Sequence, residues 1–210
     1  MPSVHAVEAR LAVLASGTGT NLQALMDDPA VGPHVVLVVS DRPEAKALER
    51  ARGRGIETAV LEPKDFPDRP AHDRALKELL ETKAVDLVAL AGYMRLVGPE
   101  VIGAFPLRIV NVHPALLPAF PGTHSIDEAL AWGVKVTGVT VHFVDEEMDH
   151  GPVLAQEALP VFPDDDRASL ETRVHEVEHR IFPRAVRALI EDRVKVIGRV
   201  VHVSDEEDER

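Results

Sequence analysis

Short apolar runs and segments of helical period take turns along the first half of this chain. Residues 11–15 form an apolar run that predicts a strand, and residues 21–26 open a helix behind it. Residues 35–39 predict a second strand, residues 44–54 a helix closed by Gly55, and residues 58–61 a short third strand. Between 69 and 83, apolar side chains at Ala71, Ala75, Leu79 and Leu80 are separated by charges, the repeat of a surface helix. Strands follow at 85–90 and 108–112, the first with little alternation, as in a strand covered on both faces. This repetition predicts an α/β fold, an open, mostly parallel twisted sheet with helices on both faces and right-handed crossovers.

Beyond residue 122 the pattern changes. Residues 126–132 predict a short helix, and 136–144 set Val139, Val141 and Phe143 against Thr140 and His142, the alternation of a half-buried strand. Gly151-Pro152 starts another strand at 153–159. Residues 166–191 read as one long helix, acidic residues leading and arginines following, with Pro183 placed to kink it. Residues 194–197 and 199–203 predict a closing hairpin or edge. The C-terminal half thus adds antiparallel structure. No internal repeat and no linker rich in Gly, Ser or Pro divides the chain, so residues 1–210 read as a single domain.

Composition narrows the function classes. An apolar fraction of 45% suffices for a real core, and no stretch approaches the roughly 18 consecutive apolar residues of a membrane span. Met1-Pro2-Ser3-Val4-His5 lacks the basic end and apolar core of a secretory signal. The absence of cysteine excludes disulfides and thiolate metal sites and fits a cytoplasmic protein. A net charge of −12 argues against a nucleic-acid binder. Part of that charge sits in residues 204–210, which read as a solvated, disordered acidic tail. An anionic substrate must therefore be held locally, by backbone N–H groups and a few arginines.

Three places carry candidate chemistry. Ala15-Ser16-Gly17-Thr18-Gly19-Thr20-Asn21 joins the first strand to the first helix. Its glycines allow a tight turn and close approach, and a helix N-terminus offers unpaired N–H groups to a phosphate. The plain alternative is a turn whose helix is capped by Thr20. Neither the dinucleotide fingerprint nor a P-loop is present. The second place is Asn111-Val112-His113-Pro114, where amide and imidazole two residues apart project together at a strand's carboxyl end. The amide suits a developing oxyanion and the imidazole a proton transfer, although an isolated histidine is more often a satisfied core residue. The third is Asp149, a turn residue or a carboxylate that would keep His113 charged. His175-Glu176-Val177-Glu178-His179 also matches the zinc-protease string, against which stands a solvated helix face with no third ligand in evidence.

These residues resemble those of the phosphoribosylglycinamide formyltransferase family over roughly residues 10 to 197. The motifs are Ser16-Gly17-Thr18-Gly19-Thr20-Asn21-Leu22-Gln23, Leu90-Ala91-Gly92-Tyr93-Met94-Arg95, Asn111-Val112-His113-Pro114-Ala115-Leu116-Leu117-Pro118, Val141-His142-Phe143-Val144 and Met148-Asp149-His150-Gly151-Pro152. The resemblance implies a Rossmann-like formyltransferase fold. Its N-terminal half would bind the ribonucleotide and its C-terminal half folate. Gly19, Thr20, Asn21 and Glu178 would hold glycinamide ribonucleotide. Arg69, Met94, Arg95, Leu96, Val97 and Asn111 would line the site of 10-formyltetrahydrofolate, the co-substrate. Asn111, His113 and Asp149 match the family's catalytic set. The transfer uses no metal, which displaces the zinc reading. It would pass the formyl group directly to the ribonucleotide amine, in purine biosynthesis. Partners would be these small molecules, without nucleic acid or membrane, in a monomer or homodimer. The chain departs from the family at Ile126, where some members carry a second histidine, at Gly138-Val139-Thr140 and at His175. Rival readings are a formyltetrahydrofolate hydrolase, a transformylase of initiator tRNA lacking its RNA-binding domain, and a non-catalytic phosphometabolite-binding module.

Overall fold

The computed structural model describes residues 9–204. The chain start and all but Ser204 of the acidic tail lie outside the described residues. In chain order the elements are β1 (Leu11–Leu14), α1 (Thr20–Asp27), β2 (Val35–Ser40), α2 (Lys46–Gly53), β3 (Glu57–Val60), α3 (Arg69–Thr82), β4 (Leu87–Leu90), α4 (Pro99–Ala104) and β5 (Ile109–His113). Then come α5 (Ser125–Trp132), β6 (Val136–Phe143), β7 (Val153–Pro160), α6 (Arg167–Ile190), β8 (Val194–Ile197) and β9 (Val200–Val203).

Seven strands form one sheet in the order β3-β2-β1-β4-β5-β6-β7. β1 to β5 are parallel, β6 runs antiparallel to β5, and β7 antiparallel to β6. β8 and β9 make a separate antiparallel hairpin. The strand order reverses between β1 and β4, the place where open α/β sheets leave a crevice at the strands' carboxyl ends.

Alternate residues of β1 enter different cores, which explains its unbroken apolar run. Leu11 and Val13 pack with Leu22 and Leu25 of α1, Leu48 of α2 and Phe182 of α6. Ala12 and Leu14 pack with Leu76 and Leu80 of α3 and Val101 of α4. Helices therefore cover both faces, as the pattern predicts. Each large side chain so buried contributes about 1.5–3 kcal/mol. α6 starts at a reciprocal cap in which Asp166 accepts from the Ser169 N–H at 2.8 Å and the Asp166 N–H donates to Ser169 Oγ at 3.0 Å. The helix continues through buried Pro183 to Ile190 and places Glu178 on its inner face.

Three local expectations change. α4 is new: six residues with one glycine show too little periodicity to be read as a helix. The buried face of α3 is His72, Asp73, Leu76 and Leu80, while Ala71, Ala75 and Leu79 are only partly covered. β6 is buried on both faces rather than one. Its polar side is covered by the proline loop after β5: Thr140 Oγ1 donates to Ala115 O at 2.7 Å and accepts from Leu117 N at 3.1 Å. Ile126 is a core residue of α5. Among the described residues, no helix is long and apolar enough to cross a membrane.

Candidate active site

A cleft of about 630 Å3 opens at the carboxyl ends of β1, β4 and β5. Every site residue expected from the sequence lines it: Gly19, Thr20, Asn21, Arg69, Met94, Arg95, Leu96, Val97, Asn111, His113, Asp149 and Glu178. Val97 and Asn21 present little surface there, at 8% exposure each, whereas Met94 and Leu96 stand open at 56% and 54%.

One end is the loop from β1 into α1. Gly19, not Thr20, is the residue that precedes the helix, with no side-chain cap. It holds φ 72°, and a Cβ there would sit 2.7 Å from Ala47 Cα. Only glycine meets both demands. The start of α1 thus lines the cleft without a capping side chain, an arrangement suited to an anion. Gly19→Ala is expected to cost about 1–3 kcal/mol of stability, from left-handed backbone alone, measurable by urea unfolding.

Behind this loop, Asn21 Nδ2 donates to Glu178 Oε2 at 2.8 Å, joining α1 to α6. Asn21 Oδ1 has no protein partner although it is buried, so it can accept from a ligand donor. Burial raises the Glu178 carboxyl above its usual range, against the lowering effects of the Asn21 bond and His175. His175 lines the same end, its Nε2 4.0 Å from Glu178 Oε2, and stacks on His179 at 6.1 Å between ring centroids. Among the described residues no three His, Cys, Asp or Glu side chains gather as a metal site.

The middle wall is the loop after β4. It is stitched to the first loop: Ser16 N–H donates to Gly92 O at 3.0 Å, and Met94 N–H donates to Ser16 Oγ at 2.9 Å. Arg69 Nη2 donates to Leu96 O at 3.2 Å and its Nε lies 3.6 Å from Asp73 Oδ2, so this cation braces the loop from α3.

The floor carries the reactive groups. Asn111 and His113 leave β5 on the same side, as their two-residue spacing requires. His113 Nε2 lies 2.8 Å from Phe120 O and therefore carries the proton it donates there. Its Nδ1 lies 3.5 Å from Asp149 Oδ2. Asp149 is fixed by the Gly122 N–H, which donates to Oδ2 at 2.7 Å. Phe120 and Asp149, which flank the imidazole, both adopt left-handed backbone at φ 53° and 52°. Such strain at non-glycine residues persists only where the surroundings enforce it.

Electrostatics correct one expectation. Asp149 was expected to keep His113 charged. Burial instead lowers the His113 pKa below the ordinary histidine value, outweighing the raising effects of Asp149 and the Phe120 carbonyl. His113 thus rests neutral at pH 7. Burial would raise Asp149, but the facing His142 and His113 imidazoles and the Gly122 N–H that donates to its carboxylate bring it below the usual carboxylate range.

His142 is the site residue that the sequence did not disclose as one. It stands opposite Asn111 in the β5–β6 register. Its Nδ1 donates to Phe143 O at 2.8 Å, so in the neutral ring Nε2 accepts from Asn111 Nδ2 at 3.2 Å. Nε2 also lies 3.6 Å from Asp149 Oδ1. With Nε2 as the acceptor, His142 orients the Asn111 amide and leaves its second N–H for the cleft.

Comparison with known proteins adds the family. A model of the formyl transferase family matches residues 9–186. The phosphoribosylglycinamide formyltransferase of Bacillus subtilis is 41% identical over 184 residues, which span 86% of this chain and 94% of that protein. The trifunctional purine biosynthetic protein adenosine-3 of Drosophila melanogaster is 47% identical over 186 residues, but the match spans only 14% of its length. The crystal structure of glycinamide ribonucleotide transformylase 1 from Symbiobacterium toebii superposes with a TM-score of 0.91 at 48% identity, covering 94% of both chains.

Proposed function

Because the chain belongs to the formyl transferase family, alongside the phosphoribosylglycinamide formyltransferases, we propose that its cleft moves a formyl group from 10-formyltetrahydrofolate to the amine of glycinamide ribonucleotide. The observation that carries this reading is one cleft that brings together the start of α1, suited to an anion, and on its floor the His113–Asp149 pair, 3.5 Å apart. A bare metabolite-binding module has no need of that pair.

In this reading the phosphate rests on the N–H groups of Gly19, Thr20 and Asn21, and the buried Glu178 accepts from the ribose. The ribonucleotide end is then drawn from both halves of one domain, residues 1–210, rather than from the N-terminal half alone. The folate lies along Met94–Val97, with Arg69 and Arg95 toward its acidic tail. We place the protein in the cytoplasm, with which the absence of cysteine is compatible.

The ribonucleotide amine attacks the formyl carbon, forming the new C–N bond, and the carbonyl electron pair moves onto oxygen. The free N–H of Asn111 donates to that oxyanion. Neutral His113 takes the proton of the attacking nitrogen on Nδ1, where Asp149 stabilises the resulting imidazolium. When the carbonyl re-forms, folate N10 leaves and takes this proton. No covalent enzyme intermediate and no metal takes part. Holding both substrates in one cleft contributes several kcal/mol through approach geometry, on the order of 7 or more where alignment is ideal.

The deciding experiment incubates the protein with 10-formyltetrahydrofolate, with and without glycinamide ribonucleotide. Release of tetrahydrofolate only with the ribonucleotide present is the expected result; equal release without it would make the protein a hydrolase. Asn21→Ala is expected to raise the KM for the ribonucleotide about tenfold or more, through loss of the bond to Glu178 and of a ligand acceptor. Steady-state kinetics with the folate saturating checks this.

A further inference from the structure

The β8–β9 hairpin lies beyond the residues matched by the family model, yet it touches the loop that carries Asp149. Val196 and Val201 anchor the hairpin on the main core, and β9 packs beside β7. This footing directs its turn, Gly198-Arg199, across to the segment between β6 and β7. There the Arg199 guanidinium donates from Nη2 to the His150 carbonyl and from Nη1 to His150 Nε2, at 3.4 Å. His150 Nδ1 in turn donates to Asp145 Oδ2 at 2.9 Å, and Asp145 Oδ1 accepts the Glu147 N–H at 3.1 Å.

The loop so held is one that needs holding. Asp149 adopts φ 52°, and the neighbouring Gly151 is pressed so closely on Phe143 O that a Cβ would lie 1.9 Å away. The Gly122 N–H fixes the Asp149 side chain, and Arg199 fixes the next carbonyl of the main chain. Exposed arginine contacts of this kind add little to global stability. Their consequence lies in where they are attached.

We propose that the C-terminal hairpin is a working part of the active site, with Arg199 the positioning residue that holds the Asp149 loop in register with His113 and the folate. The proposal rests on the formyl-transfer reading of the cleft. Among the described residues the hydrogen bonds of Arg199 go to His150, in the Asp149 loop and not in the ribonucleotide end, so its effect is expected on the formyl donor rather than on ribonucleotide affinity.

Arg199→Ala in the full chain tests this. The expected result is a rise of about fivefold in the KM for 10-formyltetrahydrofolate and a fall of about tenfold in kcat, as misplacement of a reacting group produces. Ribonucleotide affinity, read by calorimetry, stays within about twofold and the Tm within about 2 °C. Hydrogen exchange of the amides of residues 146–150 accelerates. Unchanged folate kinetics would overturn the proposal. So would a parallel loss of ribonucleotide affinity and Tm, which marks a general structural role. If the parent protein transfers no formyl group, the functional reading fails, and the exchange of the 146–150 amides still judges the clamp by itself.

Discussion

His113→Ala is expected to lower kcat/KM by about 10²–10⁴-fold, the usual contribution of a positioned acid–base group, while glycinamide ribonucleotide binds with nearly unchanged affinity. The two effects separate because His113 stands on the floor of the cleft and the anion-receiving loop at one end. The same residue sets the pH dependence. The group that must be neutral to accept a proton has its pKa lowered by burial. The rate should therefore hold through pH 7 and decline on acidification only below the ordinary histidine value of about 6.5. A plot of log kcat/KM against pH checks this once the limb at about 8 from the substrate's own amine is set apart. A further limb of the parent above the ordinary histidine value that His113→Ala removes would contradict the neutral resting state. In His113→Ala the acid limb should vanish.

Asp149→Asn is expected to cost about 10²–10³-fold in kcat, because the imidazolium formed during transfer loses its counter-charge. The amide keeps the size of the carboxylate, so the strained loop and its contact with the Gly122 N–H are disturbed least. The direction of the accompanying pH shift follows from the signs. The Asp149 charge raises the His113 pKa against burial. Its removal leaves burial opposed by less, so the acid limb moves further down. A limb that moved up, or a rate within a few-fold of the parent, would show that the carboxylate does not serve the imidazole. Rapid-quench kinetics at several pH values separates this chemical effect from slower binding or release.

Much of the site was legible along the chain because it depends on short-range geometry. Asn111 and His113 sit at i and i+2 of a strand, so their common direction follows from the pleat. Gly17 and Gly19 between a strand and a helix announce a tight turn, and the structure places it in the cleft wall. Less could be read where long-range burial decides. The alternation in β6 implied one wet face, yet the proline loop folds over Thr140 and satisfies its hydroxyl. On α3 the inward residues include His72 and Asp73, polar types that a hydrophobic period passes over. His72 is satisfied there by the carbonyl of Leu61, at 3.1 Å.

The sequence by itself determined the class of fold, the order of its strands and of its helices other than α4, and the loops at which chemistry could sit. These follow from local rules of period, turn and cap that act over a few residues. Tertiary structure alone decided the register that sets His142 opposite Asn111, the neutral state of His113 and the reach of Arg199 to the Asp149 loop. Each of these depends on which distant segments pack together. A side chain's proton and its partner are set by the surroundings that packing creates, and those surroundings are not written in the neighbouring residues.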